Sequence, residues 1–548
     1  MFASTQSSCL RHPRRWFVSL GWMILALAGL FCSVPLPLLH AQTYTPLHFF
    51  NGTEGGAESY PAVLAQGRDG NLYGTSAGGN SSNCCGSVFR MTPSGNITIL
   101  HSFSGPDGQG PRSGLTLGTD GNFYGTTEYG GTHNVGTIFK ITPTGTLTTL
   151  YNFTGSTDGD YPLTPPVQGR NGTFYGTTFY GTTYSITSTG TFKALRGSVG
   201  GASYGPLLLA SDGNLYGTSP GGGAYGSVFR LSATGTLTTI YKFDNTHGAT
   251  PYGGLVQGSD GYLYGTTEYG GSVTNSSGVV FKLSTSGKIT VLHNFVASGS
   301  ADGYNPFAGL VAASDGNLYG TTVAGPVSPG YGVLFNISKS GTYSVLHDFD
   351  GTNGESPFPT PMQHTNGIVY GITSLSASGS GGGVFYSLNN SLPKFVSLMT
   401  YSGTAGQMVE ILGTGLSGTT TVRFGSASAS FTVVSDSYMT AVIPANGTAG
   451  SVTVTTPTGT LISNKTFAIM PVIASFTPTS GPVGATVTIT GTGFVGANQV
   501  TFGGVTASFT VNSGTQITAR VPTGAVTGKI AVKTAGGTTT SKSSFTVN

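Results

Sequence analysis

The chain has 548 residues, 37% hydrophobic and only 7% charged, with 89 Gly and a formal charge of +3. That apolar fraction without charge runs excludes disorder, and so few charged residues exclude long amphipathic helices, which need Glu/Lys-rich solvent faces. Glycine at about twice ordinary usage, beside 11% aromatics, describes a chain full of turns that still buries large side chains.

At the N-terminus, Arg11, Arg14 and Arg15 precede an apolar run from Trp16 to Val34, then Pro35, Pro37 and Leu39-His40-Ala41. This order predicts a secretory signal peptide over residues 1–41, cleaved after Ala41, with a retained membrane anchor as the alternative. Cleavage takes three of the 22 basic residues and none of the 19 acidic ones, so the remainder is neutral. A neutral chain without a basic cluster excludes nucleic acid as a partner, and no membrane span is expected after the cut. Of the cysteines left, Cys84 and Cys85 are adjacent. A disulfide between neighbours is strained, so they read as a local loop feature, with a vicinal redox pair or soft-metal contact as alternatives.

A phrase like Asp-Gly-Asn-Leu-Tyr-Gly-Thr then recurs around Tyr73, Tyr124, Tyr175, Tyr216, Tyr264, Tyr319 and Tyr370, at spacings of 51, 51, 41, 48, 55 and 51 residues. A Gly-x-(Val/Ile/Leu)-Phe run follows each copy, at Val88-Phe89, Ile138-Phe139, Val228-Phe229, Val280-Phe281, Leu334-Phe335 and Val384-Phe385; the degenerate third copy has Tyr184-Ser185-Ile186. Short β-branched and aromatic runs between Gly turns predict four strands per unit, a propeller blade. The chain opens on a lone fourth strand, Tyr44 to Phe50, and the seventh unit lacks one. A ring explains why these halves match. The fold expected is all-β: a seven-bladed β-propeller over 42–391, its N-terminal strand closing the last blade.

Past Asn390, residues 392–470 and 471–548 form two further domains, 393–470 aligning on 471–548 at an offset of 78: Gly413-Thr414-Gly415 on Gly491-Thr492-Gly493, Phe424 on Phe502, Phe467 on Phe545. Each has the length and strand alternation of an Ig-like β-sandwich. On Thr477-Pro478-Thr479-Ser480-Gly481-Pro482 and Gly491-Thr492-Gly493-Phe494, these stretches resemble IPT/TIG domains. The units before them resemble the GloVer (Gloeo/Verruco-type) tandem repeat of secreted bacterial proteins, on Asp-Gly-Asn-Leu-Tyr-Gly-Thr-Thr and Val-Phe-Lys-Ile/Leu. The resemblance implies an exported protein of the bacterial surface or medium, and brings no catalytic set.

The repeated Asp69, Asp120, Asp212, Asp260 and Asp315 read as turn residues, since Asn171 and Asn366 replace them in two copies. His48, His101, His293 and His347 share one strand position with Tyr151, Arg196 and Tyr241. One position on separate blades does not make a four-ligand site, so they read as packing; no metal or cofactor is called for, and nothing supports calcium. The ligand-binding candidates are Glu128, Tyr129, Tyr180, Tyr225, Glu268, Tyr269 and Tyr331, in the loops after the Tyr-Gly-Thr strands. Tyrosine faces flanked by carboxylates suit sugar rings. The expected role is non-enzymatic recognition or structure, with extracellular polysaccharide or surface protein as partner and the Ig-like modules as spacer or attachment. A polysaccharide lyase or hydrolase using channel residues is the alternative.

Overall fold

Each repeat folds into a four-stranded antiparallel sheet in the computed structural model, which describes residues 42–51, 63–78, 85–201, 203–297, 301–325, 330–375 and 382–548. The expected signal peptide and Cys84 lie outside them. Every regular element in the described residues is a strand. Seven such sheets, numbered here in chain order, resemble propeller blades. In sheet 2, Thr116–Leu117, Phe123–Thr127, Thr137–Ile141 and Leu147–Asn152 lie side by side. The two middle strands are almost wholly buried, and the fourth is half-exposed. Gly125 pairs with Phe139, whose ring covers it so closely that a Cβ there would stand 2.5 Å from the ring. That contact is why the Tyr-Gly-Thr phrase keeps its glycine.

Sheet 7 takes its fourth strand from the other end of the chain. Thr43–Phe49 pairs antiparallel with Val384–Asn389, Tyr44 opposite Leu388 and Phe49 opposite Val384. One alignment needs correcting. Gly371 faces Tyr386, not Phe385, so Tyr386 holds the place of Phe89 and Phe139. The glycine partner, not the Val-Phe spelling, sets the register. Tyr184 fills this place in sheet 3. The hydroxyls of Tyr184 and Tyr386 are buried, with no hydrogen-bond partner among the described residues.

The Asp of the repeat ties its own turn. Tyr73 donates to Asp69 at 2.9 Å, Tyr124 to Asp120 at 2.8 Å, Tyr216 to Asp212 at 2.7 Å, Tyr264 to Asp260 at 2.7 Å and Tyr319 to Asp315 at 3.0 Å. Burial opposes ionisation of Asp120, but hydrogen bonds from Asn122 and Tyr124 hold its carboxyl below the ordinary value. In sheets 3 and 7 the bond reverses, Asn171 and Asn366 donating to Tyr175 and Tyr370. These carboxylates are scaffold.

Side chains at the end of the inner strands stitch sheet to sheet. Gln168, Gln257 and Gln363 accept the backbone N–H of Thr119, Ser211 and Ser314 in the preceding sheet, at 3.0, 2.8 and 2.8 Å. Gln66 of sheet 1 does the same to Thr365 of sheet 7, accepting its N–H at 3.1 Å and donating to its hydroxyl at 2.9 Å. In the other direction, Arg68 and Arg170 donate to the carbonyls of Thr119 and Ser211 in the next sheet; Lys339 of sheet 6, like the glutamines, reaches back, donating to Ser259 of sheet 5.

The two C-terminal domains repeat each other strand for strand. Phe395–Leu398, Met408–Leu412, Thr421–Phe424 and Tyr438–Val442 recur as Val472–Thr477, Thr486–Thr492, Gln499–Phe502 and Gln516–Arg520. Each core holds one edge-to-face pair at matched positions, Phe424–Phe467 at 5.1 Å and Phe502–Phe545 at 5.2 Å. The first domain docks on the Asp-turn side of the repeat sheets. Arg68 Nη2 meets both Glu410 carboxylate oxygens, at 2.7 and 2.6 Å, beneath the Tyr438 ring. Ser437 donates to the Arg68 carbonyl, the Thr365 and Thr414 hydroxyls meet, and Ser314 donates to the Pro393 carbonyl.

Candidate functional site

In sheets 2, 3, 5, 6 and 7, the end of the inner strand remote from the Asp turns is entered through a short segment held from behind. The N–H groups of Gly110, Tyr161, Thr250, Asn305 and Ser356 donate to carbonyls of the preceding sheet, at Cys85, Val135, Tyr225, Ser277 and Tyr331. All five residues have positive φ, from 50 to 65°, and all precede proline. For Tyr161, Thr250 and Ser356 that backbone is costly, and the surrounding bonds must enforce it. What the bend achieves is placement of the next side chain but one: Arg112, Leu163, Tyr252, Phe307 and Phe358, with Tyr204 in the same place in sheet 4.

Four of those side chains touch in series across sheets 4 to 7. Tyr204 meets Tyr252 at 4.8 Å between ring centroids, Tyr252 stacks on Phe307 at 4.5 Å, and Phe307 meets Phe358 edge-on at 5.1 Å. The series continues outward through Phe179, which lies 5.7 Å from Tyr204 and 5.0 Å from Tyr180. Tyr161 then links Tyr180, at 6.3 Å, to Tyr129, at 5.4 Å. Eight rings thus form one path from sheet 2 to sheet 7. Tyr180 is its most exposed member at 62%.

Acidic groups flank both parts of the path. Glu128 pairs with Arg112 at 2.8 Å, and burial together with Glu128 raises the phenol pKa of the adjacent Tyr129. Glu268 holds the matching place in sheet 5, where Tyr252 stands instead of an arginine. Burial raises the Glu268 carboxyl above its ordinary value, against a lowering hydrogen bond from Tyr269. Tyr269 is half-exposed, and burial together with Glu268 raises its phenol pKa.

Of the residues singled out from sequence, Glu128, Tyr129, Tyr180, Glu268 and Tyr269 fall on this path or against it. Glu128 and Glu268 follow strands of sheets 2 and 5, with sheets 3 and 4 between them in chain order. Tyr225 contributes its carbonyl to Thr250. Tyr331 gives its carbonyl to Ser356 in the same way, and its ring packs over Gly351 and against the core between sheets 6 and 7. Sequence reasoning missed Arg112, Tyr161, Phe179, Tyr204, Tyr252, Phe307 and Phe358. A signal was there: Tyr204, Tyr252 and Phe307 each stand three residues before the Leu that immediately precedes an inner strand.

The repeated histidines serve packing. His293 stacks on Tyr343 at 4.2 Å and His347 on Tyr44 at 3.6 Å, each ring supplied by the neighbouring sheet, while His101 pairs with Asp107. Among the described residues no group of three or more His, Cys, Asp or Glu is placed to hold a metal, and no helix is long and apolar enough to cross a membrane.

The sheets and the aromatic path define an all-β repeat protein with propeller-like blades. The chain belongs to the Gloeobacter/Verrucomicrobia repeat family, which it matches over residues 38–189, 165–325 and 203–433. Residues 471–547 match the IPT/TIG domain. No curated protein matches the chain. Among solved structures it is similar to a streptogramin B lyase, at 19% identity over 64% of this chain and 98% of the other, TM-score 0.45. A virginiamycin B lyase from Staphylococcus aureus gives 16%, 64%, 99% and 0.44. A surface glycan-binding protein from Prevotella bryantii gives 19%, 26%, 38% and 0.21. At such TM-scores the likeness carries no functional information.

Proposed function

We propose that residues 42–391 form a seven-bladed β-propeller whose aromatic path binds an extracellular glycan, and that the protein is a non-enzymatic recognition module. The Ig-like domains at 392–470 and 471–548 serve as spacer or attachment, and the basic-then-apolar N-terminus directs export to the bacterial envelope or medium. The observation that carries this reading is the eight-ring path. Aromatic faces bordered by Glu128, Arg112 and Glu268 supply both the apolar surface and the hydrogen-bonding groups a sugar chain needs.

A lyase or hydrolase reading draws on Glu268, whose raised pKa suits a general acid. A glycosidase also needs a second carboxylate about 5–10 Å away. Glu128 is tied to Arg112 and belongs to sheet 2.

Affinity electrophoresis of the full chain in gels holding soluble polysaccharides tests the proposal. Tyr180→Ala and Tyr252→Ala should each weaken retention by about tenfold, or roughly 1.4 kcal/mol. Retention unchanged in both variants removes the path from the reading. Release of shorter sugars by the wild type, lost in Glu268→Gln, replaces recognition with catalysis.

A further inference from the structure

On the Asp-turn side, away from the aromatic path, two adjoining cavities separate the sheets from the first Ig-like domain. One, of about 450 Å³, is lined by inner-strand residues of sheets 1, 2, 3, 4 and 7 facing Phe395, Met399 and Tyr401. The other, of about 530 Å³, lies against the turns of sheets 4 and 5. Arg170, Tyr401, Asn464 and Lys465 line both. The cationic lining residues described are Arg170 and Lys465, and no described lining residue is a carboxylate.

An internal comparison shows what such an arginine accepts. Gln66-Gly-Arg68 and Gln168-Gly-Arg170 are the same phrase in sheets 1 and 3. Both arginines donate to a carbonyl of the next sheet. Arg68 is then completed by the carboxylate of Glu410. Among the described residues no carboxylate makes a salt bridge to Arg170. Asp212 attracts it, but that carboxylate already accepts from Asn214 and Tyr216. The Lys465 ammonium lies 4.4 Å over the Tyr401 ring. Arg170 is solvent-exposed and Lys465 half-buried, so both cations are accessible from the cavities, and a carboxylate is the charge-assisted acceptor that a guanidinium favours.

We propose that this interdomain space is a second binding site, for a small carboxylated sugar. Its carboxylate takes at Arg170 the place that Glu410 takes at Arg68. Lys465 supplies the second positive charge, while Tyr401 and Asn464 border the room for the sugar ring and its hydroxyls. Each cavity lies within the range of about 300–1,000 Å³ usual for small-molecule sites. The site shares no residue with the aromatic path, so either can fail without the other.

Titration calorimetry of the full chain with glucuronic acid tests this, with glucose as the neutral counterpart and sodium sulfate as the bare anion. Glucuronate should bind at least about tenfold more tightly than glucose, and Arg170→Gln and Lys465→Gln should each cost about tenfold. Tyr252→Ala should leave glucuronate affinity unchanged. Equal binding of glucose overturns the proposal, as does sulfate binding as tightly as glucuronate. If Arg170→Gln lowers Tm, Lys465→Gln decides alone, and unchanged affinity in it overturns the site.

Discussion

Gln66 and Thr365 are 299 residues apart in sequence and joined by two hydrogen bonds, Thr365 N–H to Gln66 Oε1 and Gln66 Nε2 to the Thr365 hydroxyl. The clasp links sheet 1 to sheet 7 by the chemistry that links sheet 3 to sheet 2. Gln66→Ala removes both bonds and strands a buried N–H. The expected loss is about 1–3 kcal/mol of unfolding free energy, read from urea denaturation. Gln168→Ala should cost less, because Gln168 is more exposed. Equal losses would mean that the sheet 7 to sheet 1 junction is nothing special.

The hydroxyls of Tyr184 and Tyr386 are buried against glycine backbone, where five other sheets have Phe. Removing an unsatisfied buried hydroxyl is neutral or favourable. Tyr386→Phe and Tyr184→Phe should therefore hold or raise stability, by up to about 1 kcal/mol each. A drop in Tm for either variant would show that its hydroxyl has a partner in solution.

Glu268 gives the fold a defined pH response. Its carboxyl pKa is raised above 4.5 in the folded chain by burial, so the folded state binds its proton more tightly than the unfolded state. Stability from this group therefore falls as pH rises from the ordinary value through the raised one. Glu268→Gln should abolish that fall and give a higher Tm than wild type at pH 7. Scanning Tm from pH 4 to pH 7 in both proteins checks the sign.

The Arg68–Glu410 pair is partly exposed on both sides, so water and salt discount it. A double-mutant cycle with Arg68→Ala and Glu410→Ala should give a coupling near 1 kcal/mol. The coupling should shrink in 0.5 M salt as screening shortens to a few ångströms. A coupling indistinguishable from zero at low salt would mean that the hydroxyl contacts at Ser437 and Thr414 hold the domain.

Much of the fold could be read before any coordinates. Copies of the Tyr-Gly-Thr phrase mark the second strand of each sheet because Tyr bonds the turn Asp and Gly admits the facing ring, and both needs are local. The stray strand at Tyr44 was legible because the seventh unit lacked one. The aromatic path was legible only in part. Tyr129 and Tyr180 stand in loops that sequence marks as loops, whereas Tyr252 and Phe307 follow prolines in segments that look like plain connections. Their side chains meet only because carbonyls at Tyr225 and Ser277, about 25 residues earlier in sequence, impose the bend. Arg170 escaped notice for a similar reason: its interest lies in the missing counterpart of Glu410, which belongs to another domain.

Glutamine ends the inner strand of sheets 1, 3, 5 and 7, and leucine or alanine that of sheets 2, 4 and 6. Each Gln-bearing sheet from the third onward reaches back to a Gln-less neighbour. In the seven-bladed ring proposed above, such alternation cannot run evenly round the odd circuit, so like meets like once, at Gln66 and Thr365. The smallest interchangeable part of this scaffold is then a pair of sheets. Gain or loss of a pair keeps that single mismatch, whereas a change of one sheet either erases it or creates a second.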